Sequence, residues 1–157
     1  MLLTPHAFVG AAIGASTDNL FYIITLAFMS HFILDMLPHS DWGMWHNYSE
    51  FSWKDMKARD YILVAADIAI LLISMMYLWY NLGRNNNILI GAFFGILVDL
   101  IDNVPFWKKF FQKLPVFSWL HWLHRKIHHL LEMKYWIWGV ITQVAIIVIS
   151  VIILFKI

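Results

Sequence analysis

Apolar residues run through this chain in long blocks set apart by short polar stretches. Crossing a hydrocarbon layer takes about 20 apolar residues, and four blocks meet or approach that length. Residues 20–37 carry no charge beyond the face formed by His31 and Asp35, and residues 61–80 carry only Asp67. Residues 88–104 end in Asp99 and Asp102, and residues 135–155 carry no charge at all. Each block predicts a transmembrane helix. A fifth block, residues 7–16, is rich in Gly and Ala and shorter. It predicts a helix, re-entrant or spanning, that sits close to its neighbours, because small residues let backbones approach. Pro5 suits a first helical turn, and Thr17-Asp18-Asn19 supplies a turn and an N-cap for the next helix.

Two longer connections mix tryptophan with charge, at residues 39–60 and 105–134. The chain holds nine tryptophans, and their gathering in these connections fits an interfacial aromatic belt. Residues 115–131 are amphipathic and predict a helix lying in the interface plane. The expected fold is all-α: a polytopic helical membrane protein with four transmembrane helices, a short N-terminal helix and an interfacial amphipathic helix, in a single domain over residues 1–157.

Composition agrees. The chain is 61% hydrophobic and 13% charged, whereas a soluble domain is about 25% charged. The formal net charge of +1 points to no polyanion such as nucleic acid. There is no cysteine, which excludes disulfides and thiolate metal sites. The N-terminal stretch has no basic region of the kind that opens a cleaved signal peptide.

Charge also orients the chain. With four spans the two long connections share a side, and they hold Lys54, Lys57, Arg59, Lys108, Lys109, Lys113, Arg125, Lys126 and Lys134; the other side holds Arg84 and Lys156. This bias places the long connections in the cytoplasm. The candidate ligands gather at that same face. His31, Asp35 and His39 are four apart and stack on one helical face, with His31 about 12 Å deeper than His39 at 1.5 Å per residue. Asp99 and Asp102 end another block, where two carboxylates repel unless a cation or proton separates them. Asp67 lies about two helical turns inside its block, as a helix-packing or ligand-orienting group. His6, Asp41, His121, His124, His128, His129 and Glu132 lie toward the same side, and the opposite face has Asp18 and no histidine. Imidazole and carboxylate are expensive in a bilayer and mark functional sites there. Together they suit zinc, iron or manganese better than copper(I).

Thr4-Pro5-His6, Ser30-His31-x3-Asp35-x2-Pro38-His39-x-Asp41 and His124-Arg125-x2-His128-His129 resemble, in that order, the motifs of the inner-membrane-associated metal-dependent hydrolases. That family is similar in turn to the zinc-dependent phospholipase C and single-strand nuclease superfamily. Two features differ. The family often has Pro-Asp-x-Asp where this chain has Pro38-His39-Ser40-Asp41, and its His-Arg motif usually continues with Gly and Thr rather than Lys126-Ile127. The resemblance implies a prokaryotic inner-membrane hydrolase holding two or more divalent ions, zinc first, with His128-x3-Glu132 as a second ligand pair beside His31-x3-Asp35. The substrate expected is a membrane lipid or lipid phosphate, cleaved at a phosphoester by metal-activated water. Asp99 and Asp102 would act in catalysis, and Arg125, with Lys126, would grip the phosphate. Two other classes fit the same residues: a metal-ion or proton transporter using the buried carboxylates as a relay, and a non-catalytic membrane scaffold. The transporter needs polar groups through the opposite helix halves, and those halves are nearly bare of them.

Overall fold

The computed structural model describes residues 1–41 and 57–156. Trp42, Trp45, Phe51, Trp53 and Asp55, part of the first long connection, lie outside the described residues. The described chain is helical: α1 (Leu3–Ser16), α2 (Leu20–Asp35), α3 (Ala58–Asn81), α4 (Asn86–Asn103), α5 (Pro105–Phe111), α6 (Pro115–Ile127) and α7 (Trp136–Leu154).

The polar punctuation sets most of these boundaries. The Asn19 side chain caps α2 by accepting from the Phe21 and Tyr22 amides, and the Asn85 side chain caps α4 through the Asn87 amide. Pro105 and Pro115 open α5 and α6, where their missing N–H costs nothing. Gly83 and Arg84 both take positive φ, 73° and 57°, and turn the chain from α3 into α4.

Three helices, α3, α4 and α7, are long and apolar enough to cross a membrane, not four. The difference lies in α2. It stops at Asp35, two residues short of the apolar block's end, because Pro38 disfavours helix in the residue before it and the Met36 and Leu37 amides close the last turn onto Phe32 and Leu34. Its 16 residues reach about 24 Å at 1.5 Å per residue, against about 30 Å of hydrocarbon. The interfacial helix also ends early, at Ile127, because the following backbone pairs with the segment around His39. The short helix α5 was not expected.

Helix α1 is the centre of the bundle and packs against α2, α3, α4 and α7. Ala7, Phe8, Ala11 and Ala12 of α1 meet Leu71, Met75 and Leu78 of α3, Ile88 and Ala92 of α4, and Leu154 of α7 in one apolar core. Outward faces are apolar as well: Ile62, Ile70 and Ile73 on α3, and Ile137, Ile141 and Val148 on α7, are all exposed. An apolar exterior of this extent matches hydrocarbon rather than water as the surrounding solvent.

Small residues set the closest contact. A Cβ on Gly10 would lie 2.2 Å from the Gly91 carbonyl oxygen, and one on Gly91 would lie 2.0 Å from that of Gly10. The α1 and α4 backbones therefore touch, which fixes how the ends of these helices meet. Asp67 of α3 fixes the start of α1. Its carboxylate accepts from the Leu3 amide at 2.7 Å, the Thr4 amide at 3.3 Å and the Thr4 hydroxyl at 2.6 Å. Asp67 is thus a cap on α1 supplied from a neighbouring helix, favoured by the positive end of the helix dipole.

Substituting Gly91→Ala is expected to destabilise the detergent-solubilised protein by at least 1–3 kcal/mol, roughly the range for overpacking, because the obstruction is backbone rather than a yielding side chain. Thermal unfolding followed by circular dichroism measures it. An unchanged melting temperature would show that the α1–α4 contact is looser than described.

Candidate metal centre

The helices bring polar groups together at one end of the bundle, where α1 starts and α2 and α4 finish. His6, His31, Asp35 and His39 are fully buried there, with Asp41, Asp99, Asp102 and His124 nearly so. Burying so many ionisable groups is unfavourable unless they are paired or coordinate a cation.

Asp35 is the hub. Its Oδ2 lies 2.7 Å from His124 Nε2 and 3.2 Å from His31 Nε2; its Oδ1 lies 3.3 Å from His6 Nε2 and 3.8 Å from His128 Nε2. Three overlapping groups have ligand atoms close enough to hold a metal ion: His6, His31 and Asp99; His31, Asp35 and His124; and Asp35, His39 and His128. His31 joins the first to the second and Asp35 joins the second to the third.

The imidazoles are oriented from behind. His31 Nδ1–H donates to the Gly95 carbonyl at 2.9 Å, His39 Nδ1–H to the Leu37 carbonyl at 2.8 Å, and His124 Nδ1–H to Asp102 Oδ2 at 2.9 Å. Each bond commits Nδ1 and leaves Nε2 for the cluster, the arrangement in which histidines ligate metals. The Nε2 atoms of His39 and His128 are 3.3 Å apart, and those of His31 and His124 are 3.5 Å apart. Two nitrogens on a tetrahedral zinc at 2.0–2.1 Å are separated by about 3.3 Å. His6 Nδ1 and Asp99 Oδ2 are buried with no hydrogen-bond partner, while His6 Nε2 lies 3.3 Å from Asp35 Oδ1. The residues fit a divalent metal.

The third group already surrounds a positive charge. The amino nitrogen of Met1 lies 3.0 Å from Asp35 Oδ1, 2.9 Å from His39 Nε2, 3.2 Å from His128 Nε2 and 3.4 Å from Asp41 Oδ1. Burial opposes its charge, but Asp41, Asp35 and Asp99 outweigh that and raise its pKa from 8.0 to about 10. Burial, with the Met1 amine adding to it, lowers His39 and takes His128 from 6.5 to about 2. Both are held neutral, the form that ligates metal. His124 goes the other way. Burial would lower it, yet hydrogen bonds to Asp102 and Asp35 raise it from 6.5 to about 10.

Several expected residues take other parts. His31 and Asp35 do stack one turn apart on α2, but His39 lies beyond the helix end. It arrives through backbone pairing: the His39 amide donates to the His129 carbonyl at 3.3 Å, the Leu131 amide to the His39 carbonyl at 2.9 Å, and the His129 amide to the Asp35 carbonyl at 2.8 Å. His129 thus contributes its backbone to the site, and its side chain is exposed. Asp102 belongs to none of the three groups. It orients His124 and also accepts from His121 Nδ1–H, whereas Asp99 faces His31, with Oδ1 3.8 Å from its Nε2. Both meet His124, Asp102 at Nδ1 and Asp99 Oδ1 3.9 Å from Nε2, so they approach one imidazole from opposite sides. Asp41 lies 3.8 Å from His39 and 3.9 Å from His128, beside the third group. Arg125 stands outside the cluster, exposed on α6. Glu132, the partner implied for His128, pairs at 2.9 Å with exposed Lys134.

Sequence reading missed one contributor and gave another no role. His121 was placed at this face, but its position three residues before His124, one turn along the same face of α6, was not read as a link to Asp102. Gln143 was visible as a lone amide in an uncharged helix. Its Nε2–H donates to the Ser40 carbonyl at 2.7 Å and its Oε1 accepts from the Leu2 amide at 3.1 Å, tying both strands of the site to α7. Gly139, one turn earlier, admits that loop: a Cβ there would lie 2.4 Å from the Ser40 nitrogen.

Compared with protein-family models, curated proteins and solved structures, the chain matches none.

The pKa shifts predict how stability depends on pH in metal-free protein. His124, raised from 6.5 to about 10, contributes stability that is complete below 6.5 and lost as pH rises through 10. The Met1 amine acts with the same sign from 8.0 upward. His128, lowered from 6.5 to about 2, contributes stability that is complete above 6.5 and lost as pH falls below it. The melting temperature should therefore peak near pH 6.5 and fall on both sides. His128→Gln should flatten the acid side and His124→Gln the alkaline side. A melting temperature that climbs steadily from about pH 6 to about pH 9 would contradict this assignment of protons.

Proposed function

We propose that this chain is a membrane-embedded, metal-dependent hydrolase that cleaves a phosphoester of a membrane lipid or lipid phosphate. The observation that carries the reading is the run of three overlapping His/Asp groups sharing His31 and Asp35. Each contains at least one imidazole whose Nδ1 is committed to a carbonyl or carboxylate. A structural polar cluster needs its hydrogen bonds satisfied within itself, whereas this one leaves His6 Nδ1 and Asp99 Oδ2 without hydrogen-bond partners. The motif resemblance to inner-membrane hydrolases supports the same reading.

The residues divide the work. Asp35, with one oxygen toward His124 and the other toward Met1 and His6, would be a shared ligand of the divalent ions, zinc first. Such ions supply Lewis acidity toward a phosphoryl oxygen and acidify water to a pKa of about 7. His31, His39 and His124 keep Nε2 directed inward through their Nδ1 bonds. Asp102 holds His124 in place and fixes His121 beside it. Asp99 Oδ2, buried and unpartnered, is the acceptor available for a proton from attacking water.

Purified protein is expected to carry zinc or a similar divalent ion by elemental analysis, and Asp35→Asn should lose it. Re-adding zinc at 100 times its dissociation constant should stabilise the wild type by about 2.7 kcal/mol. The zinc-loaded protein should release phosphate or head group from a panel of phospholipids and polyprenyl phosphates, and Asp99→Asn should not. A metal-replete protein that cleaves nothing in the panel yet passes zinc or protons into liposomes would replace the hydrolase with a transporter. A folded protein that binds no metal and ignores added zinc would leave a scaffold.

The basic residues of the two long connections support a cytoplasmic position for the site. A cysteine at Gln112 should resist an impermeant thiol reagent in intact cells while one at Asn86 reacts. The reverse labelling would turn the molecule over.

A further inference from the structure

His121 lies outside all three ligand groups, yet a single carboxylate ties it to them. It stands on α6 three positions before His124, so the two rings share one face of that helix. Asp102, in the last turn of α4, reaches both. Its Oδ2 accepts from His124 Nδ1–H at 2.9 Å and its Oδ1 accepts from His121 Nδ1–H. An ionised carboxylate only accepts, so each imidazole presents its Nδ1 proton to it. Among the described residues these two rings are the hydrogen-bond partners of the Asp102 carboxylate.

The row runs from the hub outward. His124 Nε2 lies 2.7 Å from Asp35 Oδ2 and 3.5 Å from His31 Nε2, and Asp102 fixes the tautomer and the plane of that ring. A carboxylate bonded at one oxygen alone can still turn about its Cβ–Cγ bond. His121 anchors the other oxygen and removes that freedom. The pair is shielded as well. Asp102 is buried, and Phe28, Val98, Ile101, Phe117 and Leu120 wall the crevice that Asp102 and His121 close. With water kept away, such a hydrogen bond is stronger than the same bond in solvent. Burial lowers the pKa of nearby Lys108 and Asp102 raises it, but the Lys108 ammonium makes no hydrogen bond to the carboxylate, so it does not take over this task. His121 is the outer end of the row, its side chain 21% exposed against 3% for His124.

We infer that His121 is a positioning residue of the metal centre: through Asp102 it holds His124 in the orientation that ligates a divalent cation, and so sets how tightly that cation is held. The inference rests on the metal-dependent reading given above and extends it to a residue outside the ligand groups. Partners that orient a ligating histidine from behind commonly govern metal affinity. Here the orienting carboxylate is itself oriented, by a ring from the same helix as the ligand. One turn of α6 therefore carries both the ligand and the group that steadies its support.

The test is the zinc affinity of the purified protein in detergent, measured by competition with a fluorescent zinc chelator. His121→Leu keeps bulk and removes the donor, and should weaken zinc binding by roughly tenfold, the low end of what loss of an orienting partner costs. His121→Asn should restore most of that affinity, because its amide nitrogen stands as many bonds from the backbone as Nδ1 and also donates. Asp102→Ala should weaken zinc by about 10–100-fold. Adding His121→Leu to Asp102→Ala should then change the affinity by less than about twofold, since the link from His121 to His124 is already cut. Circular dichroism of the metal-free variants checks folding, and His121→Ala replaces His121→Leu should the latter misfold. Unchanged zinc affinity in His121→Leu would overturn the inference and leave the metal centre standing. So would a loss that His121→Asn fails to restore, or one that is as large on the Asp102→Ala background; either result makes His121 a packing residue of α6. A wild-type protein that binds no zinc would overturn the metal-dependent reading, and this inference with it.

Discussion

The structure depends on a single buried carboxylate. Asp35 is inaccessible to solvent, and a charge so placed is tolerable only when opposite charge or strong donors surround it. Around it stand His6 from α1, His31 from its own helix, His124 from α6, His39 and His128 from two loops, and the Met1 amine. None of these elements is a sequence neighbour of all the others. Satisfying Asp35 therefore requires the tertiary fold, and the tertiary fold at this end of the bundle is largely what satisfies Asp35. In a bilayer the hydrophobic effect does little to draw helices together, so such a hub is a reason for these particular helices to meet.

Around the hub, rigidity comes from bonds that carry no chemistry of their own. Asp67 caps α1 and so fixes the height of His6, three residues beyond Leu3. Gly95 serves twice. Its carbonyl takes His31 Nδ1–H, and its missing side chain lets the His6 backbone approach, since a Cβ would lie 2.5 Å from the His6 carbonyl oxygen. Gln143 reaches from α7 to Ser40 and Leu2. The backbone pairing of His39 with His129 and Leu131 replaces the helix that Pro38 ends. Remote groups of this kind determine whether ligands are held to within the fraction of an ångström that a metal requires.

The sequence made the membrane helices and the chemical character of the site legible, because both follow from local pattern. Long uncharged blocks are helices that must be buried, in lipid or in protein, and His31 with Asp35 is a one-turn pair wherever the helix sits. His39 was identified for a reason that does not hold, since it lies past the end of α2 and is brought in by pairing with His129 and Leu131, 90 and 92 positions further along the chain. Asp102 looked like the twin of Asp99 because sequence spacing shows which face a residue occupies but not which partner it meets there. Asp67 read as an ambiguous polar group for the same reason: its partners, Leu3 and Thr4, are more than 60 positions away. Gln143 was overlooked, and His121 was given no role, because each acquires one only through a contact across the bundle.

The shortness of α2 also decides where the site lies. A helix long enough to cross the bilayer would carry its last residue into the water, where a carboxylate is hydrated and needs no partners. At about 24 Å, α2 stops short of a hydrocarbon layer of about 30 Å. Its terminal Asp35 is fully buried at the end of the bundle. There α5 and α6 run over the bundle end with tryptophans outward and His121 and His124 inward, on opposite sides of one amphipathic helix. The low dielectric beneath α6 strengthens the field between Asp35 and the groups around it, so the helix end set by Pro38 is what keeps this carboxylate among His6, His31 and His124.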